Sequence, residues 1–116
     1  MIKRSNEMTD SIKVNMRGGD GQVSIREILS KDEYKGKARL VGTITLEPNC
    51  SIGAHVHENE EEIFYIIKGT ATYDDNGTEV ILNEGDSCLC LGGEKHSLAN
   101  RMSEGTLQVF AVILTY

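Results

Sequence analysis

Apolar and polar residues alternate along most of this chain in short runs, and no long stretch has a helical pattern. Alternation of this kind is typical of half-buried strands, because every second residue of a strand faces the same way. The only weak helical candidate, IREILSKDEYKGK, is better interpreted as a strand followed by a loop. The predicted strands are QVSIREIL, ARLVGTITL, IGAHVH, EIFYII, TATY, TEVIL, DSCLCL, HSLANR and LQVFAVILTY. The pattern predicts an all-β chain of about nine or ten short strands.

The residues between TATY and TEVIL predict a specific hairpin. Asn76 and Gly77 both accept positive φ, as a two-residue type I′ turn requires. Other breaks separate the remaining runs, at Glu47-Pro48-Asn49, Gly85-Asp86 and Gly92-Gly93. Many short strands joined by such turns suit a closed barrel or a two-sheet jelly roll.

The length of 116 residues fits a single domain. Residues 1–17 are weakly patterned, so we expect an N-terminal arm there, either mobile or paired across a dimer, and a β-barrel domain over 18–116. A domain of this size has a modest core and often depends on oligomerisation, which favours a dimer.

Net charge and hydropathy limit the expected cellular location of the protein and the classes of partner that it can bind. Eighteen acidic and twelve basic side chains give a net charge of −6, which repels phosphate backbones and anionic membranes. The N-terminus lacks the apolar stretch of a secretory signal, and no segment approaches about 18 uninterrupted apolar residues. We therefore expect a soluble cytoplasmic protein that binds neither nucleic acid nor membrane.

The cysteines and a group of basic residues each leave two interpretations. Three cysteines, an odd number, favour reduced thiols over a disulfide framework: Cys50, Cys88 and Cys90. The CxC pair could bind a soft metal, but free cysteine is more often a small buried side chain, which we favour. The basic group, Lys31, Lys35, Lys37 and Arg39, is either a solvated loop, which we favour, or a rim that draws anionic substrates towards a site.

Two of the three histidines lie one residue apart, in the run AHVHENEEEIFYIIKG. His55 and His57 would point to the same side of a strand and can converge on one ion. After a polar turn, Glu62 would enter the next strand on its inward face, where an unpaired carboxylate is costly and a metal ion would offset that cost. The other glutamates of the run, Glu58, Glu60 and Glu61, are expected in a solvated acidic loop.

The third histidine, His96, follows Gly92-Gly93 and opens another predicted strand. In a barrel, an ion held by two strands can be completed by a ligand from a third. A lone histidine is usually a surface or hydrogen-bonded core residue, but the joint spacing favours a metal site. The candidate ligands are His55, His57, Glu62 and His96.

These residues resemble the first conserved motif of the cupin superfamily, G(x)5HxH(x)3–4E(x)6G. His55-x-His57, Glu62 and Gly69 match its spacing, whereas position 49 is Asn where the motif has its leading glycine, and Gly53 lies closer to the histidines. The second motif, G(x)5PxG(x)2H(x)3N, is matched at four positions, with Leu91 in place of the proline. Those four residues are Gly85, Gly93, His96 and Asn100.

The resemblance implies a double-stranded β-helix barrel of the small, single-domain Cupin_2 type, with a metal inside held by the four candidate ligands. It gives Asn100 and the glycines a role in shape and no chemistry. Members of this kind usually form homodimers by pairing edge strands. The family includes enzymes that oxidise or decarboxylate small acids, cleave rings with oxygen or isomerise sugar phosphates, and it also includes non-catalytic binding modules.

Three nitrogens and one carboxylate suit Mn, Fe, Co, Ni or Zn, and the sequence does not choose among these metals. We favour a metal-dependent enzyme that acts on a small oxygen-rich metabolite, and keep as alternatives a non-catalytic binding or sensing module and a barrel whose histidines only hydrogen-bond. No general base is evident, although Glu61, Tyr65 and Tyr73 are titratable residues nearby. Because ligand imidazoles must be neutral, we expect metal loss below about pH 6.

Overall fold

The computed structural model describes all 116 residues, and its regular structure is almost entirely β. The ten strands are β1 Thr9–Val14, β2 Gln22–Leu29, β3 Ala38–Leu46, β4 Ser51–Val56, β5 Glu60–Lys68, β6 Ala71–Asp75, β7 Thr78–Leu82, β8 Ser87–Cys90, β9 Lys95–Ala99 and β10 Leu107–Thr115. Short 3₁₀ turns at Ser5–Glu7 and Met16–Gly18 lie on either side of β1. The prediction of an all-β chain is confirmed.

Every predicted run forms a strand, and β2, β3 and β7 have the predicted bounds. The main difference is β1, which the sequence did not predict. All six of its residues are exposed, because β1 is an edge strand that pairs only with β2. An edge strand with no buried face carries no alternation to recognise. The division into an arm over 1–17 and a barrel over 18–116 stays a prediction.

The strands form two antiparallel sheets that enclose one core. The larger sheet has the order β1-β2-β3-β10-β5-β8 and the smaller has the order β4-β9-β6-β7. Apolar residues from the inward faces of both sheets fill the space between them, among them Ile44, Phe64, Ile66 and Leu98, each at most 2% exposed. This is the double-stranded β-helix that the motifs implied.

The predicted hairpin joins β6 to β7. Asp75 pairs with Thr78, and the two residues between them, Asn76 and Gly77, have φ values of 51° and 96°. Both values lie in the left-handed region that a type I′ turn needs, so this prediction is confirmed. Outside the sheets, none of the protein's helical turns has the length or apolarity to cross a bilayer.

Candidate metal centre

Three strands bring the four predicted ligands to one place between the sheets. His55 on β4 lies directly opposite His96 on β9 in the strand register. His57 follows the end of β4, and Glu62 lies on β5 with its side chain facing inward beside Phe64 and Ile66. One donor atom from each residue lies within 4.8 Å of the others. The structure thus groups all four residues that the sequence selected.

The three imidazoles converge through the same ring atom. Their Nε2 atoms lie 3.1 Å apart for His55 and His57, 3.0 Å for His57 and His96, and 3.1 Å for His96 and His55. Oε1 of Glu62 lies 3.0 Å from Nε2 of His57 and 3.3 Å from Nε2 of His96. The arrangement is a triangle of nitrogens with a carboxylate oxygen on one side.

The opposite ring nitrogens are held by the surrounding structure. Nδ1 of His55 donates to the carbonyl oxygen of Gly53 at 2.7 Å, and Nδ1 of His57 donates to Oε2 of Glu60 at 2.6 Å. Nδ1 of His96 lies 2.9 Å from the hydroxyl of Tyr73. A neutral imidazole that donates through Nδ1 presents a lone pair at Nε2. In neutral His55 and His57, the Nε2 lone pairs therefore face the shared centre.

This donor set fits a divalent transition metal. Two lone pairs 3.1 Å apart repel each other, and a cation between them removes that repulsion. Metal to imidazole bonds are about 2.1 Å long, so two such ligands at a right angle are about 3.0 Å apart. The three nitrogen separations are close to this value. Three nitrogens and one carboxylate oxygen also match the donor preference of such ions.

The charges of the cluster differ from residue to residue. Burial lowers the pKa of His55, because desolvation disfavours the imidazolium. The hydrogen bond to Glu62 raises the pKa of His57, against the opposing effect of burial. Burial acts to raise the pKa of Glu62, but hydrogen bonds and charges from His57 and His96 outweigh it, and the pKa is lowered. Glu62 is therefore an ionised, 95% buried ligand candidate beside two imidazoles.

Glu60 departs from the sequence prediction. It was expected in a solvated acidic loop, but it is the first residue of β5 and its side chain is only 14% exposed. Its carboxylate accepts from His57 and, through both oxygens, from Arg39 at 2.7 Å. The hydrogen bonds with Arg39 lower the pKa of Glu60 to about 2. The prediction is wrong for Glu60 and also for Glu61, which lies on β5 and is half-buried, because the turn is shorter than expected, with Asn59 at a φ of 59° directly before the strand. Glu58 is exposed in the turn, as predicted.

His96 has the most enclosed surroundings of the three histidines. It is 1% exposed, and the ring of Phe64 stacks on it at a centroid distance of 5.3 Å. Tyr73, which the sequence offered as a nearby titratable residue, is buried, and its hydroxyl hydrogen-bonds Nδ1 of His96. Burial raises the pKa of the Tyr73 hydroxyl, so it stays protonated. Tyr65 instead points outward and is 46% exposed.

A cavity of about 230 Å³ opens beside the cluster and has His55, His57 and Glu62 in its wall. Isoleucine, leucine and methionine side chains line much of the rest. Three cations also line it: Lys13, Arg17 and Arg39. Glu27 and Glu62 also line the cavity, and Arg39 is already paired with Glu60, so Lys13 and Arg17 are the lining cations available to an anionic occupant.

The basic residues of the sequence analysis do not act together. Only Arg39 of the four lines the cavity, while Lys31, Lys35 and Lys37 are exposed in or beside the loop before β3. Lys13 and Arg17 were missed because they lie on the edge strand and the turn after it. No local pattern in the sequence indicates that this edge folds over the cavity.

The cysteines pack as expected. Cys90 is 3% exposed, and Cys88 packs against the core from the same face of β8. Burial raises the pKa of both thiols to about 11, so they remain protonated at neutral pH. Protonated thiols are poor metal ligands, which agrees with a packing role.

Two departures from the motif pattern have local explanations. Asn49, where the motif has glycine, adopts a φ of 68°, a left-handed conformation that asparagine tolerates better than most residues. Leu91, where the motif has proline, donates its backbone N–H to Oε1 of Glu94 at 2.8 Å. A hydrogen bond that proline cannot make thus holds the turn that carries His96 into β9. Asn100 is fully buried and donates to the carbonyls of Leu46 and Gly105, which agrees with a role in shape.

Comparisons with known proteins agree with this architecture. The model of the Cupin_2 family of cupin domains matches residues 42–113. An oxalate-binding protein from Thermotoga maritima is 42% identical over 114 residues, which cover 98% of this chain and 93% of that protein. The crystal structure of a protein described as a predicted oxalate decarboxylase, also from Thermotoga maritima, has a TM-score of 0.92, 41% identity and 100% coverage of both chains. The polyketide cyclase RemF from Streptomyces resistomycificus shares the fold alone, with a TM-score of 0.79, 18% identity, and 99% of this chain and 80% of that chain covered.

Proposed function

Because this chain belongs to the cupin domain family, we propose that His55, His57, Glu62 and His96 hold a divalent transition metal that binds a small carboxylate in the adjacent cavity. The convergence of three Nε2 atoms, each within 3.1 Å of the other two, carries the proposal. Without a cation, the Nε2 lone pairs of neutral His55 and His57 would face each other at 3.1 Å. This repulsion disfavours the alternative in which the histidines only hydrogen-bond. The candidate metals are Mn, Fe, Co, Ni and Zn.

The surroundings of the cluster support a small dianion as the ligand. Lys13 and Arg17 line the cavity and would offset the charge of an entering carboxylate, whereas Arg39, also in the lining, is paired with Glu60. The similar protein from Thermotoga maritima is named for oxalate binding, and oxalate is small enough for a cavity of about 230 Å³. When bound, the metal would supply a Lewis acid that polarises a carboxylate oxygen. The cationic residues in the cavity wall would position that anion.

A second candidate function is turnover of the bound acid, by oxidation, decarboxylation or isomerisation. One observation favours it: Glu27 is a cavity-lining carboxylate outside the ligand cluster, and such a group can hold or move a proton during a reaction. The related Thermotoga maritima structure is described as a predicted oxalate decarboxylase. The first candidate function requires only binding of the acid.

The cytoplasmic location stays a prediction from the sequence.

Metal analysis and calorimetry test the proposal. Protein purified without added ions should hold a transition metal or take up one equivalent of Mn²⁺, Co²⁺, Ni²⁺ or Zn²⁺, and oxalate should bind the metal-loaded form only. His55→Ala should abolish tight metal binding yet lower the free energy of unfolding of the metal-free protein by less than about 1 kcal/mol, because His55 is only half-buried. Metal binding below a tenth of an equivalent under all conditions would contradict the site.

Matched lysine variants test the cavity. Lys13→Gln should weaken oxalate binding about 3- to 10-fold, the effect of losing ~1 kcal/mol of polar interaction. Lys31→Gln, which removes the same charge outside the cavity, should leave it unchanged. Equal effects of the two variants would mean that oxalate binds elsewhere. Release of carbon dioxide or uptake of oxygen with oxalate would establish turnover, whereas saturable binding without product would favour the binding module.

A further inference from the structure

Two carboxylates from one face of β5 hold both nitrogens of the same imidazole. Alternate strand residues share a face, so Glu60 and Glu62 both point towards His57. Oε2 of Glu60 lies 2.6 Å from Nδ1, and Oε1 of Glu62 lies 3.0 Å from Nε2. Glu62 is at the centre of the cluster, whereas Glu60 lies behind the ring and reaches none of the other histidines. The two glutamates therefore have different roles.

Arg39 fixes the position of Glu60. Its Nε donates to Oε1 and one of its terminal nitrogens donates to Oε2, both at 2.7 Å, which forms a bidentate pair. Such a pair restricts a carboxylate in rotation as well as in position. Arg39 lies on β3 and Glu60 on β5, and β10 lies between these strands in the sheet. The contact thus links strands that are not adjacent and orients Glu60 from outside the cluster.

The contacts of Glu60 indicate which atom carries the proton. Both of its oxygens accept from the guanidinium of Arg39, so Oε2 accepts rather than donates at Nδ1 of His57. A carboxylate that accepts at this atom favours the tautomer of His57 that carries its proton on Nδ1. Carboxylates that orient metal-binding histidines in this way increase the basicity of the ligand nitrogen.

We propose that Glu60, held by Arg39, is a positioning residue that keeps His57 in the tautomer and orientation needed to bind a metal through Nε2. The effect on metal affinity rests on the proposed function, but the effect on the tautomer of His57 does not. Glu60 donates no atom to the central cluster, and it acts through His57. The ordinary alternative is a surface ion pair between Arg39 and Glu60 that has no consequence for the site.

The chain offers a closely matched control. Glu61 precedes Glu62 on the same strand and carries the same charge, but its carboxylate makes no hydrogen bond or ion pair. Glu60→Met and Glu61→Met each remove one carboxylate and keep a side chain of similar length. Glu60→Gln is the conservative variant, since its amide oxygen can still accept from Nδ1 of His57 without the negative charge.

The first measurement is the affinity for Zn²⁺ alone, by competition with a chelator. Glu60→Met should weaken Zn²⁺ binding about 10- to 100-fold, the usual effect of removing such a partner. Glu60→Gln should recover part of the loss, and Glu61→Met should stay within about twofold of the natural protein. Equal affinity for Glu60→Met and Glu61→Met would overturn the positioning role, provided that the natural protein binds Zn²⁺.

The second measurement needs no metal. Long-range ¹H–¹⁵N NMR spectra of the metal-free protein at a pH where the imidazoles are neutral report the tautomer of each histidine. His57 should carry its proton on Nδ1 in the natural protein, in Glu61→Met and in Glu60→Gln, and should lose that preference in Glu60→Met. An unchanged tautomer in Glu60→Met would overturn the inference even if Zn²⁺ binds. A changed tautomer with no Zn²⁺ binding to any form would support the orientation of His57 and contradict the proposed metal site.

If Glu60→Met does not fold, Arg39→Met provides the same test from the other end of the contact. It leaves Glu60 in place but removes the bidentate partner that holds it. Zn²⁺ affinity should fall by less than in Glu60→Met and by more than in Glu61→Met. An Arg39→Met protein with unchanged affinity and an unchanged His57 tautomer would overturn the role of Arg39.

Discussion

At the scale of single residues, the three histidines of the cluster differ in what surrounds them. His55 donates to a backbone carbonyl, and its burial lowers its pKa, so it remains neutral to lower pH. His57 lies between two carboxylates, and its hydrogen bond to Glu62 raises its pKa. His55 and His57, two residues of the same type in one motif, thus have different tendencies to take up a proton.

This difference predicts how metal binding depends on pH. A proton on Nε2 of His57 competes with the metal, and the raised pKa of His57 makes it the first of the pair His55 and His57 to take up a proton as pH falls. Bound metal, measured by elemental analysis after equilibration between pH 4.5 and pH 8, should therefore decline below about pH 6. Full retention at about pH 4.5 with unchanged affinity would contradict this expectation.

The contribution of His57 to the stability of the metal-free protein should have the opposite pH dependence to metal binding: it should decrease as pH rises. A folded-state pKa above the unfolded value adds stability that is fully present below about 6.5 and is lost as pH rises through the folded-state value. Denaturant unfolding of the metal-free protein across the same pH range measures this effect together with the opposite effect of His55, whose pKa is lowered.

At the scale of elements, the contact between β4 and the 3₁₀ turn after β1 brings the edge strand to the cavity. Gly53 on β4 and Gly19 after the turn allow this contact, since a Cβ at Gly53 would collide with the carbonyl oxygen of Arg17 and a Cβ at Gly19 with that of Ser51. The carbonyl of Gly53 also accepts from His55. The close approach of these two backbone segments therefore places Arg17 at the cavity, and the same glycine, Gly53, orients the candidate ligand His55.

A substitution at Gly53 tests this contact. Gly53→Ala should displace the turn that carries Arg17, lower the free energy of unfolding by about 1–3 kcal/mol, and weaken oxalate binding by the metal-loaded protein. Gly36→Ala is the control, because a Cβ at Gly36 would meet no atom within 4 Å, and its effect should be within about 0.5 kcal/mol. Urea unfolding and calorimetry measure both effects. Equal stability of the two variants would show that the backbone approach between Gly53 and Arg17 tolerates a Cβ, which would contradict this prediction.

At the scale of the whole molecule, the outward side of the larger sheet carries an apolar face on its last three strands. The register places Phe110 opposite Tyr65, and Ile63 between Val112 and Leu89. Ile67 follows on the same strand as Ile63 and Tyr65. Tyr65 and Leu89 are each 46% exposed, and Ile67 is 42% exposed. A contiguous apolar surface on a small domain is typical of an interface. We therefore propose that two copies form a homodimer through this face, rather than by the pairing of edge strands that the family resemblance implies.

Sedimentation and light scattering test the dimer. The natural chain should have about twice the mass of the 12.8 kDa monomer, and Tyr65→Arg should shift it to the monomer mass, because a buried unpaired charge strongly disfavours an interface. Ile81→Arg places the same charge on an exposed position of the smaller sheet and should leave the dimer intact. A natural protein that is monomeric at all concentrations, or an equal effect of both variants, would contradict the proposed interface.

The sequence by itself determined the features that depend on local spacing. Strand alternation, the Asn76-Gly77 hairpin and the inward position of Glu62 beside Phe64 and Ile66 are all confirmed, because neighbours along a strand have fixed relative directions. The same regularity selected four residues whose donor atoms the fold brings within 4.8 Å.

Only the tertiary structure decided which residues surround that cluster. Glu60 belongs to a strand rather than to a solvated loop, and it is bound by Arg39 from a strand 21 residues earlier in the chain. Lys13 and Arg17 reach the cavity because two glycines permit a close approach of backbones that are far apart in sequence. Such contacts depend on how sheets curve and pack, and neither alternation nor composition records that information.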